Sequence, residues 1–124
     1  MLTITKEFHF SASHRLDGLP EGHQCARLHG HNYVLVLELS AHPDHLTQAG
    51  FVRDYGDLAT FKRWVDVTLD HRHLNDVILD RNPSAENLAR WIHDTWKEEL
   101  PELSGVRVSE TPKTWARYAP AAGE

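Results

Sequence analysis

The fold is decided by residues 31–40, HNYVLVLELS, where β-forming apolar residues follow one another with little interruption. Such a run is typical of a largely buried strand. Residues 2–10, LTITKEFHF, mostly alternate instead, so that their apolar side chains share one face of an extended chain. The two segments predict two neighbouring strands, separated by a glycine-containing loop over about residues 14–30.

Two helices are predicted in the middle of the chain. The first is capped by Asp54 or Asp57 and ends near Asp70-His71. The second begins at residues 82–84, Asn-Pro-Ser, with Pro83 in its first turn or Ser84 as its cap, and is stopped by Pro101. Apolar residues recur at helical spacing in both, namely Leu58, Phe61, Val65 and Leu69 in the first and Leu88, Trp91, Ile92, Trp96 and Leu100 in the second.

Two further strands are predicted at residues 105–111 and 114–119. The order ββααββ predicts an α+β fold, in which a four-stranded antiparallel sheet carries both helices on one face. We expect residues 1–124 to form a single domain. Four strands leave two open sheet edges, which predict a homo-oligomer whose sheets join edge to edge.

Composition excludes several classes of protein. The net charge is −5 and no run of basic residues occurs, which argues against a nucleic-acid partner. No segment approaches the roughly 20 apolar residues of a membrane span. The one cysteine cannot form an internal disulfide, and the first residues do not form a basic segment followed by an apolar one. We therefore expect a cytoplasmic protein.

Histidine is unusually frequent, with 10 copies in 124 residues. His29 and His31 flank Gly30, and residues two apart point to the same face of an extended segment. If the first two strands pair antiparallel, His14 at the end of the first lies beside them. Three histidines without a fourth protein ligand describe a catalytic zinc site with an open position. The alternative is a set of unrelated surface histidines around a turn.

Cys25 lies four residues before His29 in the same loop. A thiol near a metal ion or an imidazolium loses its proton readily and then acts as a base or a nucleophile. The alternative is a small buried apolar residue.

Asp70-His71 at the end of the first helix suggests a carboxylate that orients an imidazole. Side chains of adjacent residues rarely form good hydrogen bonds with each other, so we expect this pairing to be poor. The alternative is that His71 only complements the helix C-terminus.

Glu110 lies on a predicted strand with Val106 and Val108 on its face, which predicts apolar surroundings. A buried carboxylate needs a partner. A ligand with paired N–H donors, such as a purine or pterin ring, would provide one. The alternative is a salt bridge at the surface or at an interface.

Six segments together resemble the 6-pyruvoyltetrahydropterin synthase family, and within it the bacterial 6-carboxytetrahydropterin synthases of queuosine biosynthesis. They are residues 8–14 (FHFSASH), 25–33 (CARLHGHNY), 50–55 (GFVRDY), 69–75 (LDHRHLN), 82–87 (NPSAEN) and 108–111 (VSET). The three-residue gap between Cys25 and His29 is similar to that of the carboxy-forming enzymes.

The resemblance implies the tunnelling fold, with two trimers stacked into a hexamer around a barrel. It also implies Zn²⁺ on the three histidines and a pterin ring held by Glu110. Cys25, Asp70 and His71 match the proton-transfer group of the family, which is contributed partly across a subunit boundary.

The implied reaction converts 7,8-dihydroneopterin triphosphate to 6-carboxy-5,6,7,8-tetrahydropterin, with release of acetaldehyde and triphosphate. Alternatives are a pyruvoyltetrahydropterin synthase, an aldolase-type cleavage of dihydroneopterin and a non-catalytic zinc-stabilised oligomer. The triphosphate requires positive charge nearby, for which the candidates are Arg27, Arg72, Lys113 and Arg117.

Overall fold

Residues 1–121, which the computed structural model describes, form one mixed sheet and two helices. The strands are β1 (Leu2–His14), β2 (His29–Ala41), β3 (Arg72–His73), β4 (Leu103–Thr111) and β5 (Thr114–Tyr118). The helices are α1 (Ala59–Thr68) and α2 (Ala85–Trp96). Across the sheet the strands lie in the order β3-β1-β2-β4-β5.

The predicted four-stranded antiparallel sheet is wrong in one respect, because the sheet has a fifth strand that runs parallel to its neighbour. Strand β3 pairs with β1 through Ala12 opposite Arg72 and Ser13 opposite His73. A strand of two residues is too short to show any alternation in the sequence. The other four strands occur where they are predicted, and β1 and β2 are longer than expected.

Strands β1 and β2 pair without interruption from Leu2 opposite Ala41 to His14 opposite His29. Alternate residues of both strands face the core, and Phe10 stacks on Tyr33 with ring centroids 4.8 Å apart. This regular register carries His14 to the same end of the sheet as the start of β2.

Both helices cover the same face of the sheet, as predicted. Phe61 of α1 meets Phe8 of β1 edge to face at 5.0 Å, and it meets Trp96 of α2 at 5.1 Å. His93 of α2 packs on Tyr118 of β5 at 5.1 Å. The two helices and the inward side chains of the sheet therefore share one apolar core.

The helix boundaries differ in detail from the prediction. Asp54 caps a short 3-10 turn, Tyr55–Leu58, by accepting a hydrogen bond from the Gly56 amide at 2.8 Å, and α1 continues from that turn. Ser84 caps α2, as predicted, through the Asn87 amide. Helix α2 ends at Trp96, well before the predicted stop at Pro101.

The sheet face away from the helices carries a buried carboxylate between two arginines. Glu38 of β2 is 2% exposed and accepts hydrogen bonds from Arg117 at 2.7 and 2.9 Å, and a further one from Arg107. The hydrogen bonds from Arg117, with those from Arg107, hold the pKa of Glu38 below its usual value.

Two edges of the sheet are unpaired within the described residues. They are the outer edge of β5 and the part of β1 that precedes its short pairing with β3. Neither helix in this part of the chain is long and apolar enough to cross a membrane.

Candidate metal centre

The structure brings His14, His29 and His31 together, as the pairing of β1 with β2 predicts. One ring nitrogen from each histidine lies within 4.8 Å of the others. The closest pair is Nε2 of His14 and Nε2 of His29, which are 2.9 Å apart. His14 is fully buried and the other two are half-buried, so the cluster lies at the rim of the core.

Backbone carbonyls fix the orientation of two of these rings. Nδ1 of His14 lies 2.8 Å from the Pro83 carbonyl, and Nδ1 of His29 lies 2.7 Å from the Arg27 carbonyl. A carbonyl oxygen only accepts, so each Nδ1 carries the hydrogen and each Nε2 keeps a free lone pair. Nothing in the sequence pointed to Pro83 or Arg27 in this role, because backbone contacts leave no residue-type signal.

The cluster fits a divalent metal ion. Two lone pairs facing each other at 2.9 Å repel unless a cation lies between them. Two nitrogen ligands on a tetrahedral zinc ion lie about 3.3 Å apart, which is close to this spacing. Nε2 of His31 is buried without a hydrogen-bond partner in the described part of the chain, and a metal ion would satisfy it. Burial also lowers the pKa of His14, which favours the neutral ring that binds metals.

Within residues 1–121, no thiol or carboxylate joins the three histidines as a fourth ligand in this cluster. Glu110 lies beside the cluster, with its Oε2 3.6 Å from Nε2 of His31. A metal ion on the three histidines would therefore keep a position for a ligand that the protein does not supply, which is typical of catalytic sites.

Cys25 lies in a short 3-10 turn, Gln24–Ala26. Strand β2 starts at His29, four residues after Cys25. The Cys25 carbonyl accepts a hydrogen bond from the Leu16 amide at 3.1 Å, which ties the turn to the chain just beyond His14. The side chain is half-buried, so the structure does not support the alternative of a fully buried apolar cysteine.

Asp70 and His71 are held by the backbone of Ser11 at the outer edge of β1. The Ser11 amide donates to Oδ1 of Asp70 at 2.9 Å, and the Ser11 carbonyl accepts from the His71 amide at 2.6 Å. Nδ1 of His71 lies 3.0 Å from Oδ2 of Asp70, so the two adjacent side chains are within ion-pair distance of each other. The Ser11 amide, followed by His71, holds the pKa of Asp70 below its usual value.

This pair does not join the three histidines. The His71 side chain is 83% exposed, and its polar contact within residues 1–121 is with Asp70. Within one chain, the residues of the predicted site therefore lie in two places. The three histidines lie at the rim of the core, and Asp70 and His71 lie at an open edge of the sheet.

Glu110 lies at the end of β4, beside the start of α2. Its Oε1 accepts a hydrogen bond from the Ala85 amide at 3.1 Å, where the helix favours negative charge. The side chain is 22% exposed and lines a cavity of about 390 Å³ together with Val108 and Trp115. The predicted apolar surroundings are thus only part of its environment, and its second oxygen is free to face a ligand.

A family model described as 6-pyruvoyl tetrahydropterin synthase matches residues 3–121. The chain belongs to this family. The family identified from the sequence motifs, and with it the prediction of an enzyme, is thereby confirmed.

Two curated relatives of the chain are named 6-carboxy-5,6,7,8-tetrahydropterin synthase. The protein from Synechocystis sp. is 37% identical over 124 residues, which cover 95% of this chain and 93% of the relative. The protein from Haemophilus influenzae is 30% identical, over 95% of this chain and 99% of its own.

Among solved structures, the 6-pyruvoyl tetrahydropterin synthase of Caenorhabditis elegans superposes with a TM-score of 0.82 at 28% identity. The superposition covers 97% of this chain and 96% of that one. An uncharacterized protein of Wolinella succinogenes has the same TM-score at 24% identity and shares the fold. The fold of this chain is therefore that of the family.

Proposed function

We propose that the chain is a zinc-dependent lyase acting on 7,8-dihydroneopterin triphosphate. With uptake of one water, the reaction gives 6-carboxy-5,6,7,8-tetrahydropterin, acetaldehyde and triphosphate. The observation that carries the proposal is the convergence of three histidine nitrogens, without a fourth protein ligand, beside the free oxygen of Glu110. The names of the curated relatives support the carboxy-forming outcome. We propose that the reaction serves the biosynthesis of queuosine or another 7-deazapurine.

His14, His29 and His31 would hold the metal. Neutral imidazole nitrogens suit Zn²⁺, and backbone carbonyls already fix the required tautomer in His14 and His29. A bound zinc ion supplies a Lewis acid for the hydroxyl groups of the substrate side chain.

Glu110 would position the pterin ring. Its Oε1 is engaged by the Ala85 amide, so the carboxylate is fixed with Oε2 directed towards the histidine cluster. The free Oε2 has two lone pairs and would accept N–H hydrogen bonds from the aminopyrimidine edge of the ring. The ring would thus lie with its side chain close to the metal.

Proton transfer would be shared by Cys25 and His71. Cys25, as thiolate, would remove the proton from the carbon next to the ring. Oδ2 of Asp70 lies 3.0 Å from Nδ1 of His71, and Nε2 of His71 would exchange a proton on the other side of the substrate side chain.

We further propose that the Asp70–His71 pair serves the metal centre of a neighbouring subunit. It lies at an open sheet edge and makes no contact with the three histidines of its own chain in the described residues. Pairing of this edge with the open edge of β5 in a second copy would build the hexamer of two trimers.

The test is to incubate the zinc-loaded protein with 7,8-dihydroneopterin triphosphate and to identify the products by mass spectrometry. We expect 6-carboxytetrahydropterin and one acetaldehyde per turnover. Formation of 6-pyruvoyltetrahydropterin without acetaldehyde would show that the chain is a pyruvoyl-forming synthase and would refute the proposed reaction. Absence of any pterin product would favour a zinc-stabilised oligomer without catalytic activity.

A further inference from the structure

The segment that follows β1 is held by two asparagine side chains to which the proposed function gives no role. Oδ1 of Asn75 accepts from the Arg15 amide at 2.8 Å, and Nδ2 of Asn75 donates to the Arg15 carbonyl at 2.8 Å. Asn82 binds Asp17 in the same way, at 3.0 Å to the amide and 2.8 Å to the carbonyl. Each carboxamide therefore satisfies both backbone groups of one residue, as a residue of a neighbouring strand would.

The backbone contact between these two leads to Cys25. The amide of Leu16 donates to the Cys25 carbonyl at 3.1 Å. In an extended chain the backbone groups of consecutive residues point to opposite edges, so the asparagines bind one edge of residues 15–17 and the turn of Cys25 binds the other. Residues 15–17 thus connect the two asparagines with Cys25, although they lie beyond the end of β1.

Asn75 is fixed to the core through its neighbour in the chain. It lies in the 3-10 turn Leu74–Asp76, which follows β3 directly, and Leu74 is fully buried. The Leu74 carbonyl accepts from the amides of Val77 and Ile78 at 3.0 and 2.9 Å. The turn is therefore a firm support for the Asn75 carboxamide.

Asn82 is joined directly to the metal centre. Its carbonyl accepts from Nδ2 of Asn87 at 2.9 Å, which ties it to the first turns of α2. The next residue, Pro83, has the carbonyl that lies 2.8 Å from Nδ1 of His14. One short segment therefore fixes both a metal ligand and the chain that carries the turn of Cys25.

We propose that Asn75 and Asn82 are positioning residues, which act through residues 15–17 to hold Cys25 in its place relative to the metal centre; this rests on the proposed function. A group that transfers a proton must stay within about 0.5 Å of its productive position. The turn Gln24–Ala26 contains no buried residue, so its position depends on hydrogen bonds more than on packing.

The first experiment replaces each asparagine by aspartate in the zinc-loaded protein. An aspartate still accepts from the backbone amide, but its second oxygen replaces the donor and repels the carbonyl of Arg15 or Asp17. We expect Asn75→Asp and Asn82→Asp each to lower kcat by about tenfold or more, with KM and zinc content close to those of the parent. Gln48→Glu is the matched control, because it makes the same change of an amide to a carboxylate on an exposed loop residue.

A double-mutant cycle separates positioning of Cys25 from general support of the fold. In a Cys25→Ala background, Asn82→Asp has no thiol to displace and should cause little further loss of turnover. A structural role would instead lower turnover equally in both backgrounds. That result, an unchanged kcat in both aspartate variants, or loss of zinc in step with turnover would overturn the proposal.

Alkylation of Cys25 tests its position without any turnover. Cys25 is the only cysteine of the chain, so the rate of labelling by iodoacetamide reports on this residue alone. Its side chain is half-buried, and release of the turn in Asn75→Asp and Asn82→Asp should raise the rate several-fold, whereas Gln48→Glu should not. Rates that are unchanged or lower would refute the positioning role. Raised rates in a protein whose parent forms no carboxytetrahydropterin would refute the proposed reaction alone.

Discussion

Nδ1 of His71 lies 3.0 Å from Oδ2 of Asp70, although the two residues are adjacent in the chain. His71 itself adopts a left-handed backbone conformation, with φ of 59°. This conformation is uncommon for residues other than glycine and is frequently kept for functional reasons. The Ser11 amide donates to Asp70 and the Ser11 carbonyl accepts from the His71 amide, and these two hydrogen bonds hold it in place.

We expect His71→Asn to fold and to bind zinc but to lose most turnover. Asparagine tolerates the left-handed region, so this variant removes the imidazole without adding backbone strain. His71→Val should instead lower the melting temperature, because a β-branched residue is strained there. Turnover, zinc content and thermal unfolding of both variants measure these effects. Near-parental turnover of the asparagine variant would exclude His71 from proton transfer.

Replacement of His31 by alanine should reduce the metal content well below one zinc per chain after dialysis. Its Nε2 is buried without a hydrogen-bond partner in the described residues, and a metal ion would satisfy it. The parent should also lose thermal stability on addition of a chelator, whereas His31→Ala should not respond to it. His45→Ala is the control, since His45 is exposed and lies outside the cluster. Full zinc retention in His31→Ala would refute the assigned ligand set.

The Cys25→Ala variant should retain both its fold and its zinc, because the sulfur is not among the clustered ligand atoms. Its turnover should fall by about 10²- to 10⁴-fold, which is the usual loss when a proton-transfer group is removed. Product formation and zinc content measured on the same preparation check both parts. A variant that turns over at nearly the parental rate would show that the thiol is not the base.

Glu110→Gln should raise KM for the substrate by about tenfold or more and leave the zinc content unchanged. Glutamine still accepts from the Ala85 amide through its side-chain oxygen, so the start of α2 should stay intact. What is lost is the negative charge that faces the N–H donors of the ring. Steady-state kinetics of parent and variant provide the measurement, and an unchanged KM would contradict the role of Glu110 in holding the ring.

Stability should depend on Glu38 in a pH-dependent way. Its pKa is lower in the folded chain than the usual 4.5, so its contribution is complete above that pH. The contribution is lost as the pH falls through the lower folded value. At pH 7 we expect Glu38→Gln to reduce the free energy of unfolding by about 2 kcal/mol, because two arginines lose their shared carboxylate.

Urea unfolding of parent and Glu38→Gln from pH 7 down to strongly acid conditions would follow this difference. The gap between the two proteins should shrink as the pH falls. Glu98→Gln is the control, since Glu98 is exposed and has no ion pair in the described part of the chain. A gap that stays constant with pH would show that the stabilisation does not depend on ionisation of Glu38.

The sequence was informative where periodicity or spacing carries the signal. Alternation in β1 and the apolar run of β2 predicted two neighbouring strands, and from their pairing the meeting of His14 with His29 and His31. The cap of α2 at Ser84 followed from residue type alone. These features depend on local chemistry and on one simple strand pairing.

Other features depend on contacts between distant residues or on backbone conformation, which no local pattern reveals. Strand β3 has only two residues and is recognisable by its partner alone. Glu38 and Arg117 are 79 positions apart in the sequence, so no local pattern around either residue predicts their ion pair. The left-handed conformation of His71 is likewise a backbone feature that no residue-type pattern near it predicts.

The uninterrupted register of β1 and β2 ties the metal site to correct folding. A slip of one residue would turn His14 to the opposite face from His29 and His31, and it would bring Glu7 and His9 into the core in place of Phe8 and Phe10. A misaligned chain would therefore lose its capacity to hold metal together with its core. The zinc occupancy of a preparation should accordingly serve as a count of its natively folded molecules.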